Sequence, residues 1–450
     1  MIRVTFILFD SQYESDSMYE EVLADWNFWG GYDIDYLDRD YSLQEFAEEG
    51  RALILFGVRR AGKSYLAYGY LKRTIGSGLD PKETLILNFE DPRLSYIDPR
   101  ELIKLYEEYL KLTGAGRPIV VLDEVQSVEG WERFVRYLLE VRRAKVLVTG
   151  SSSKLMGEEY ATLLTGRHVS IEVFPLSFRE FLRFKGLEIK SEAEALKERS
   201  RIRSLLDEYL EYGGFPEVAL QDSRAVKEEL LRTYFRDIVT KDVAMRYNVR
   251  RVRKLESLAR IYVSNVATMV SMRKLSKSLE IGLRTVERFS EYLETARVIR
   301  FLKRLSPKAK EVERSRRKAY TIDVGFHTKA GLPITRNLGR IMENVVFLHL
   351  ARRYGVNEAL FYYLTSDGRE VDFVVREGRK TVGLIQVTHH LRKGDPRQFG
   401  REVGSLVRAS KELECQRAVL ITMDQEGIIE KSGVKVRVIP LWKWLLGVGV

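Results

Sequence analysis

Cysteine is nearly missing: Cys415 is the only one in 450 residues. One thiol cannot build a disulfide framework or a cysteine-based zinc site within a chain. Proline is scarce at ten, and Gly/Ser clusters are few, so the expected connections are short rather than long linkers. No stretch approaches the ~18 consecutive apolar residues of a membrane span, and no membrane association is expected. The start, MIRVTFILFDSQYESDSMYEE, turns acidic after one short apolar run. It lacks the basic head, longer apolar centre and small-residue cleavage site of a secretory signal, so a cytoplasmic location is expected. Amides are also few, with 7 Asn and 8 Gln, while 31% of residues are charged. That balance suits a heat-resistant protein. No low-complexity tract or fixed-period repeat is evident.

The length allows two to four domains, and an apolar share of 45% is that of a globular protein. The net charge of +11 is unevenly spread. Residues 1–50 carry 13 Asp and Glu against 2 Lys and Arg, whereas residues 221–320 carry 26 Lys and Arg against 12 Asp and Glu. Such a basic block is a candidate phosphate-binding surface, or else a set of solvated helix faces. Residues 1–45 form an acidic, aromatic arm for which the pattern gives no fold.

From residue 51 the pattern is strand, loop, helix, repeated. ALILF, TLILNF, PIVVLDEV and AKVLVTGS read as buried strands, and alternation with helices implies an α/β fold with a parallel sheet covered on both faces. Gly57, Val58, Arg59, Arg60, Ala61, Gly62, Lys63 and Ser64 match the phosphate-binding loop G-x-x-x-x-G-K-[ST] at every fixed position, with a strand before and a helix after. These residues and the following Tyr65 are the expected ATP site. The glycines let the backbone wrap the phosphates, and the N–H groups at the helix start face the anion. Lys63 reaches the β- and γ-phosphates and Ser64 holds Mg²⁺. Asp123 and Glu124 end a buried strand, where an open sheet places its ligands. Asp123 is expected to support Mg²⁺, and Glu124 to act as general base. Thr149, Ser151 or Ser152, at the end of the next strand, is a candidate γ-phosphate sensor. Arg167 is a candidate for neutralising transition-state charge, across a subunit boundary.

GVRRAGKS, LNFEDPRL, VVLDEVQ, VLVTGSSSKL, LLTGRHVSIEVFPLSFREF and YGGFPEV together resemble an archaeal and bacterial AAA+-type ATPase family. The resemblance spans roughly residues 50–450. It implies an ATPase core with a helical lid over 46–235, a winged-helix domain over 236–325 and a restriction-endonuclease-like domain over 326–450. It also implies homo-oligomers, up to a hexameric ring, with sites at subunit interfaces.

Helical spacing over 249–267, 272–280 and 283–300, with a turn at Ile281-Gly282, is helix-turn-helix anatomy. Arg284, Thr285 and Arg288 are placed to face a major groove. Lys308, Lys310, Arg314, Arg316, Arg317 and Lys318 are expected on a basic wing. Nucleic acid, DNA first, is the expected partner, with protein contact as the alternative. In the terminal region Glu343, Asp372 and Gln386 resemble the Glu … Asp … (Glu/Gln)-x-Lys pattern of metal nucleases, but Thr388 stands at the lysine position. His389 and Lys393 do not fit the spacing. Thr cannot supply positive charge, so a nuclease-derived fold without efficient cleavage is expected. The leading expectation is an ATP-driven motor or switch on nucleic acid; a signalling or defence ATPase and an active ATP-dependent nuclease are the alternatives.

Overall fold

The computed structural model describes residues 11–45, 50–142, 144–151, 166–332, 337–392 and 394–448. The chain divides into two compact units, residues 1–57 with 62–173, and residues 58–61 with 174–450. The helices over 178–237, grouped with the ATPase core in the sequence reading, therefore pack in the second unit.

The first unit is a five-stranded parallel sheet, ordered β2-β3-β4-β1-β5. Its strands are β1 (Ala52–Gly57), β2 (Thr84–Asn88), β3 (Ile119–Asp123), β4 (Lys145–Ser151) and β5 (His168–Glu172). β1, β2 and β3 are buried at every position, as continuous Val/Ile/Leu runs covered on both faces must be. Helices Lys63–Gly76, Pro99–Thr113 and Trp131–Glu140 make the crossovers. The second is fixed by a capping box of Asp98 and Glu101 and stops at the left-handed Gly114.

The acidic arm contains a helix, Ser11–Trp26, followed by a short turn, Phe28–Gly30. At their junction the Asn27 side chain accepts from Ile86 N at 2.6 Å and donates to Ile86 O at 3.1 Å, on edge strand β2. Further on, Asp33 pairs with Lys72 and Asp38 with Arg73, so two of the arm's carboxylates meet helix Lys63–Gly76.

The second unit begins with helices that include Arg199–Tyr212 and Arg224–Asp237, the latter running into a π-helical stretch, Ile238–Met245. Helices Val252–Ser264, Met272–Leu279 and Leu283–Thr295 follow, with a small antiparallel sheet ordered β6-β8-β7. Its strands are β6 (Thr268–Met269), β7 (Ile299–Leu302) and β8 (Lys318–Thr321), and the short helix Ala309–Arg314 lies between the last two. The helix expected over 283–300 stops at Thr295; Arg297 turns the chain with φ of 63°, and the fully buried Ile299–Leu302 pairs with β8 instead.

Helix Leu338–Arg353 then leads to a six-stranded mixed sheet ordered β13-β14-β12-β11-β10-β9. Its strands are β9 (Leu360–Leu364), β10 (Glu370–Glu377), β11 (Lys380–Val387), β12 (Ala418–Thr422), β13 (Gly427–Lys431) and β14 (Val434–Pro440). Helix Pro396–Glu412 carries the crossover between the parallel strands β11 and β12. The expected boundary at 325/326 is not a break in packing. The Asn344 amide bonds both Thr321 N and Thr321 O at 2.9 Å, and Leu305 N donates to Tyr362 O at 2.7 Å.

Candidate functional site

Gly57 to Ser64 is a turn that only glycine at two points permits. A Cβ on Gly57 would lie 2.2 Å from Val173 O, and Gly62 has φ of 88° where the helix starts. Lys63 begins that helix, buried, with Nζ 3.5 Å from Gly57 O. Ser64 Oγ donates to Asp123 Oδ1 at 2.8 Å, joining the helix start to the end of β3. Tyr68, one turn further on, donates its OH to Asp123 Oδ2 at 2.7 Å. Thr149 Oγ1, from β4, also donates to Asp123 Oδ1 and accepts from Glu124 N at 3.1 Å.

Asp123 is thus held by three hydroxyls and is only 3% exposed. Burial pushes its carboxyl above the ordinary range, and the hydrogen bonds from Thr149, Tyr68 and Ser64 pull it back. Burial likewise pushes the Tyr68 phenol well up, with the Asp123 charge adding to it, so Tyr68 is the proton donor in this pair. Glu124 adopts φ of 54°, a left-handed conformation that costs about 1–2 kcal/mol in a non-glycine residue. The bond to Thr149 holds it there, and its carboxylate accepts from Gln126 Nε2. Sequence reasoning chose Thr149, Ser151 and Ser152 without separating them. Thr149 is the one bonded to the acidic pair, Ser151 is buried at the end of β4, and Ser152 lies outside the described residues.

Tyr68 was missed, although its position four residues after Ser64 puts both on one helix face. Tyr65 is 60% exposed, and Tyr32 of the arm meets Tyr68 edge-on at 6.2 Å. Within the second unit, Arg59 bonds Asp242 Oδ1 at 3.2 Å and Arg60 lies over the Tyr234 ring and 3.8 Å from Glu217.

Arg167 lies at the opposite end of the sheet from Gly57. Its carbonyl accepts from Ala52 N, at the start of β1, and its half-exposed guanidinium pairs with Glu140. The five steps along β1 from Ala52 to Gly57 span roughly 17 Å at ~3.3 Å each. Arg167 therefore does not join the Lys63–Asp123 site of its own chain.

Of the residues expected to face nucleic acid, Arg284 and Arg288 are exposed on helix Leu283–Thr295, Thr285 is half-buried beside them, and Arg316 is exposed before β8. Arg317 is half-buried and pairs with Glu313. Lys318 is not on an exposed wing. It is 1% exposed, because β8 is buried at every position, and it shares a strand face with Tyr320. Its Nζ lies 2.5 Å from Glu343, 2.6 Å from Glu370 and 3.1 Å from Asp372. A lysine thus does reach the Glu343/Asp372 cluster, from a strand that the expected spacing did not consider. Gln386 joins the same network, while Thr388 caps the end of β11 and accepts from Gln398 at 3.5 Å. His389 is exposed, and Lys393 lies outside the described residues.

A model of the AAA domain matches residues 49–182. Two domains of unknown function follow, DUF8612 over 203–336 and DUF4143 over 338–444. The uncharacterized protein MJ1544 of Methanocaldococcus jannaschii is 30% identical over 457 residues, covering 99% of both chains. The chain belongs to the MJ1544 family. Another member of similar sequence, an uncharacterized protein of Haemophilus influenzae, is 31% identical across 78% of this chain and 85% of its own. Among solved structures, the Walker-type ATPase PABY2304 of Pyrococcus abyssi covers 71% of this chain and 95% of its own at 15% identity, with a TM-score of 0.38. This MJ1544-family chain therefore carries an AAA-type ATPase domain, with its phosphate-binding loop and acidic pair inside the matched residues. Among the described residues no helix is long and apolar enough to cross a membrane.

Proposed function

We propose that this protein binds ATP with Mg²⁺ and hydrolyses it, and that hydrolysis drives a switch or motor on nucleic acid. The observation that carries the ATPase reading is the 2.8 Å bond between Ser64 and Asp123, which sets a hydroxyl and a carboxylate side by side at the start of the phosphate-facing helix. Those two oxygens fit the donor set of a magnesium ion, a hard cation that takes oxygen ligands. When bound, Mg²⁺ would offset phosphate charge. The chain's own residues do the rest. The Gly57–Ser64 backbone wraps the phosphates, and Lys63 balances the β/γ charge. Glu124, aimed by the Thr149 bond to its backbone, takes the proton of the attacking water.

Two variants test this separately. Lys63→Ala is expected to lose nearly all ATP binding by calorimetry, because the phosphates lose their nearest cation. Glu124→Gln is expected to keep ATP bound while turnover falls ~10²–10⁴-fold, the range for a general base. Unchanged turnover in the second would move the base elsewhere.

The nucleic-acid reading rests on the second unit. Three helices followed by an antiparallel pair are the anatomy of a winged helix, and Arg284 and Arg288 stand exposed one turn apart on the third helix. Binding to duplex DNA should weaken with salt by a slope of about 0.9 per phosphate contact in log K against log salt. Reversing Arg284, Arg288 and Arg316 should flatten that slope; an unaltered slope would leave a protein partner as the better reading. Arg167, remote from its own site, is assigned to a neighbouring subunit's site in a ring. Arg167→Ala mixed with Lys63→Ala subunits should then recover activity that neither has alone.

A further inference from the structure

The nuclease pattern that the terminal region resembles implies a divalent metal among Glu343, Asp372 and the residue at 386. The residues present do not fit one. An ammonium is already there, with Lys318 Nζ within 3.1 Å of Glu343, Glu370 and Asp372. Two further donors converge on the same carboxylates. Tyr320 OH donates to Glu343 Oε1 at 2.7 Å, and Val387 N donates to Asp372 Oδ2 at 3.0 Å. Gln386 is neutral and turned away: its Oε1 accepts from Asp372 N and its Nε2 donates to Glu402 at 3.0 Å. Lys318, Glu343 and Asp372 are 1%, 8% and 5% exposed, so of the cluster only Glu370, whose side chain is 33% exposed, faces a phosphodiester. Among the described residues no three His, Cys, Asp or Glu side chains are arranged to hold a metal ion.

We infer that Lys318 is a built-in substitute for the metal: its ammonium permanently fills the cation position of the terminal sheet, closing that site to divalent ions and to phosphodiester cleavage. The argument is one of charge and tethering. Buried carboxylates need a partner charge, and leaving one uncompensated is strongly unfavourable. A metal ion must be recruited from solution, whereas Lys318 is delivered by β8 at a high effective concentration and does not diffuse away. The same ammonium reaches two elements from a third. It ties β8 to helix Leu338–Arg353 through Glu343, and to β10 through Glu370 and Asp372. The basic middle region and the terminal sheet are thereby pinned at the place where a nuclease would hold its catalytic ion. This inference concerns the terminal sheet alone and does not depend on the ATPase reading.

The test is a count of bound Mn²⁺ on the full chain without nucleotide, by paramagnetic resonance. Wild type and Asp372→Asn should bind equal numbers of ions, since Asp372 is not a ligand while Lys318 is present. Lys318→Met, close in size but uncharged, should gain one Mn²⁺ per chain, and Lys318→Met with Asp372→Asn should lose it again. No gain in Lys318→Met overturns the inference. So does a wild-type count that drops by one in Asp372→Asn, or Mn²⁺-dependent cutting of plasmid DNA by wild type that Asp372→Asn abolishes. If Lys318→Met does not fold, wild type against Asp372→Asn decides: equal counts support the built-in cation, and a lower count in the variant sinks it. Because Lys63 and Asp123 are untouched, failure of the ATPase reading would show instead as absent ATP binding in wild type.

Discussion

Two buried aspartates at strand positions, one in each unit, meet opposite surroundings. Asp123 is held by the hydroxyls of Ser64, Tyr68 and Thr149, which donate hydrogen bonds but carry no charge. Asp372 is held by a lysine ammonium and the backbone N–H of Val387. The first arrangement leaves the negative charge unbalanced, which is tolerable only where a cation is to arrive. The second sets a cation of the chain's own beside it, although burial and the neighbouring Glu343 still push the Asp372 carboxyl well up. Similar burial in the two sites therefore implies different duties. A carboxylate surrounded by rotatable hydroxyls is poised to exchange partners, whereas one clamped by a buried lysine is part of the framework.

This contrast can be broken in four ways. The largest effect is expected from Asp123→Asn. Turnover should fall by ~10²–10³-fold, the scale for removing one electrostatic group from an active site. Folding stability should barely change, because the three hydroxyls can rotate to suit an amide. A large loss of stability would make Asp123 structural like Asp372. Lys318→Met should behave in reverse, costing about 3–5 kcal/mol in urea unfolding by stranding buried carboxylates, with ATP binding retained. A loss under ~1 kcal/mol would mean that the cluster protonates and manages without its cation.

The third concerns pH. With no cation bound, burial raises the Asp123 carboxyl, so the folded chain holds that proton more tightly than the unfolded chain does. Its contribution to stability is then fully present below the ordinary carboxylate range and is lost as pH rises through the raised value. Mg²⁺–ATP favours the ionised form, so binding should release a proton and weaken from neutral toward acid pH. Calorimetry in buffers of different ionisation enthalpy measures that release directly, and an absence of proton release would leave Asp123 ionised throughout. The smallest effect is expected from Tyr68→Phe. It removes one hydrogen bond, worth about 1 kcal/mol, and should raise the Mg²⁺ concentration needed for half-maximal turnover a few-fold with ATP affinity unchanged.

How much of this could be read from the sequence follows from how local each signal is. The phosphate-binding loop was legible because its backbone demands fall on eight consecutive residues, two of them obligate glycines. The parallel sheet was legible because strands covered on both faces read as unbroken apolar runs. Tyr68 was not, because a tyrosine at helical spacing looks like ordinary core. Lys318 was misplaced because it ends the run RSRRK, which reads as solvated charge, and its partners lie 25 to 54 residues away. The strand K-A-Y-T, buried at every position, held the missing clue. Tyr320 stacks on Phe347 at 4.1 Å in the buried layer, and a residue two positions away on a strand shares its face. The end of the helix at Thr295 was hidden for a related reason: β7 is held by pairing with β8, a non-local contact that periodicity alone does not reveal.

Asn27 has a consequence of another kind. Among the described residues β2 is the last strand on one side of the ATPase sheet, and such a strand displays unpaired N–H and C=O groups that can template the addition of a further strand. The Asn27 amide has the same donor and acceptor as a peptide group, and it meets Ile86 N and Ile86 O as the backbone of a sixth strand would. A single side chain thus ends the sheet at that rung. The counterfeit peptide group at residue 27 closes one such edge against intermolecular growth.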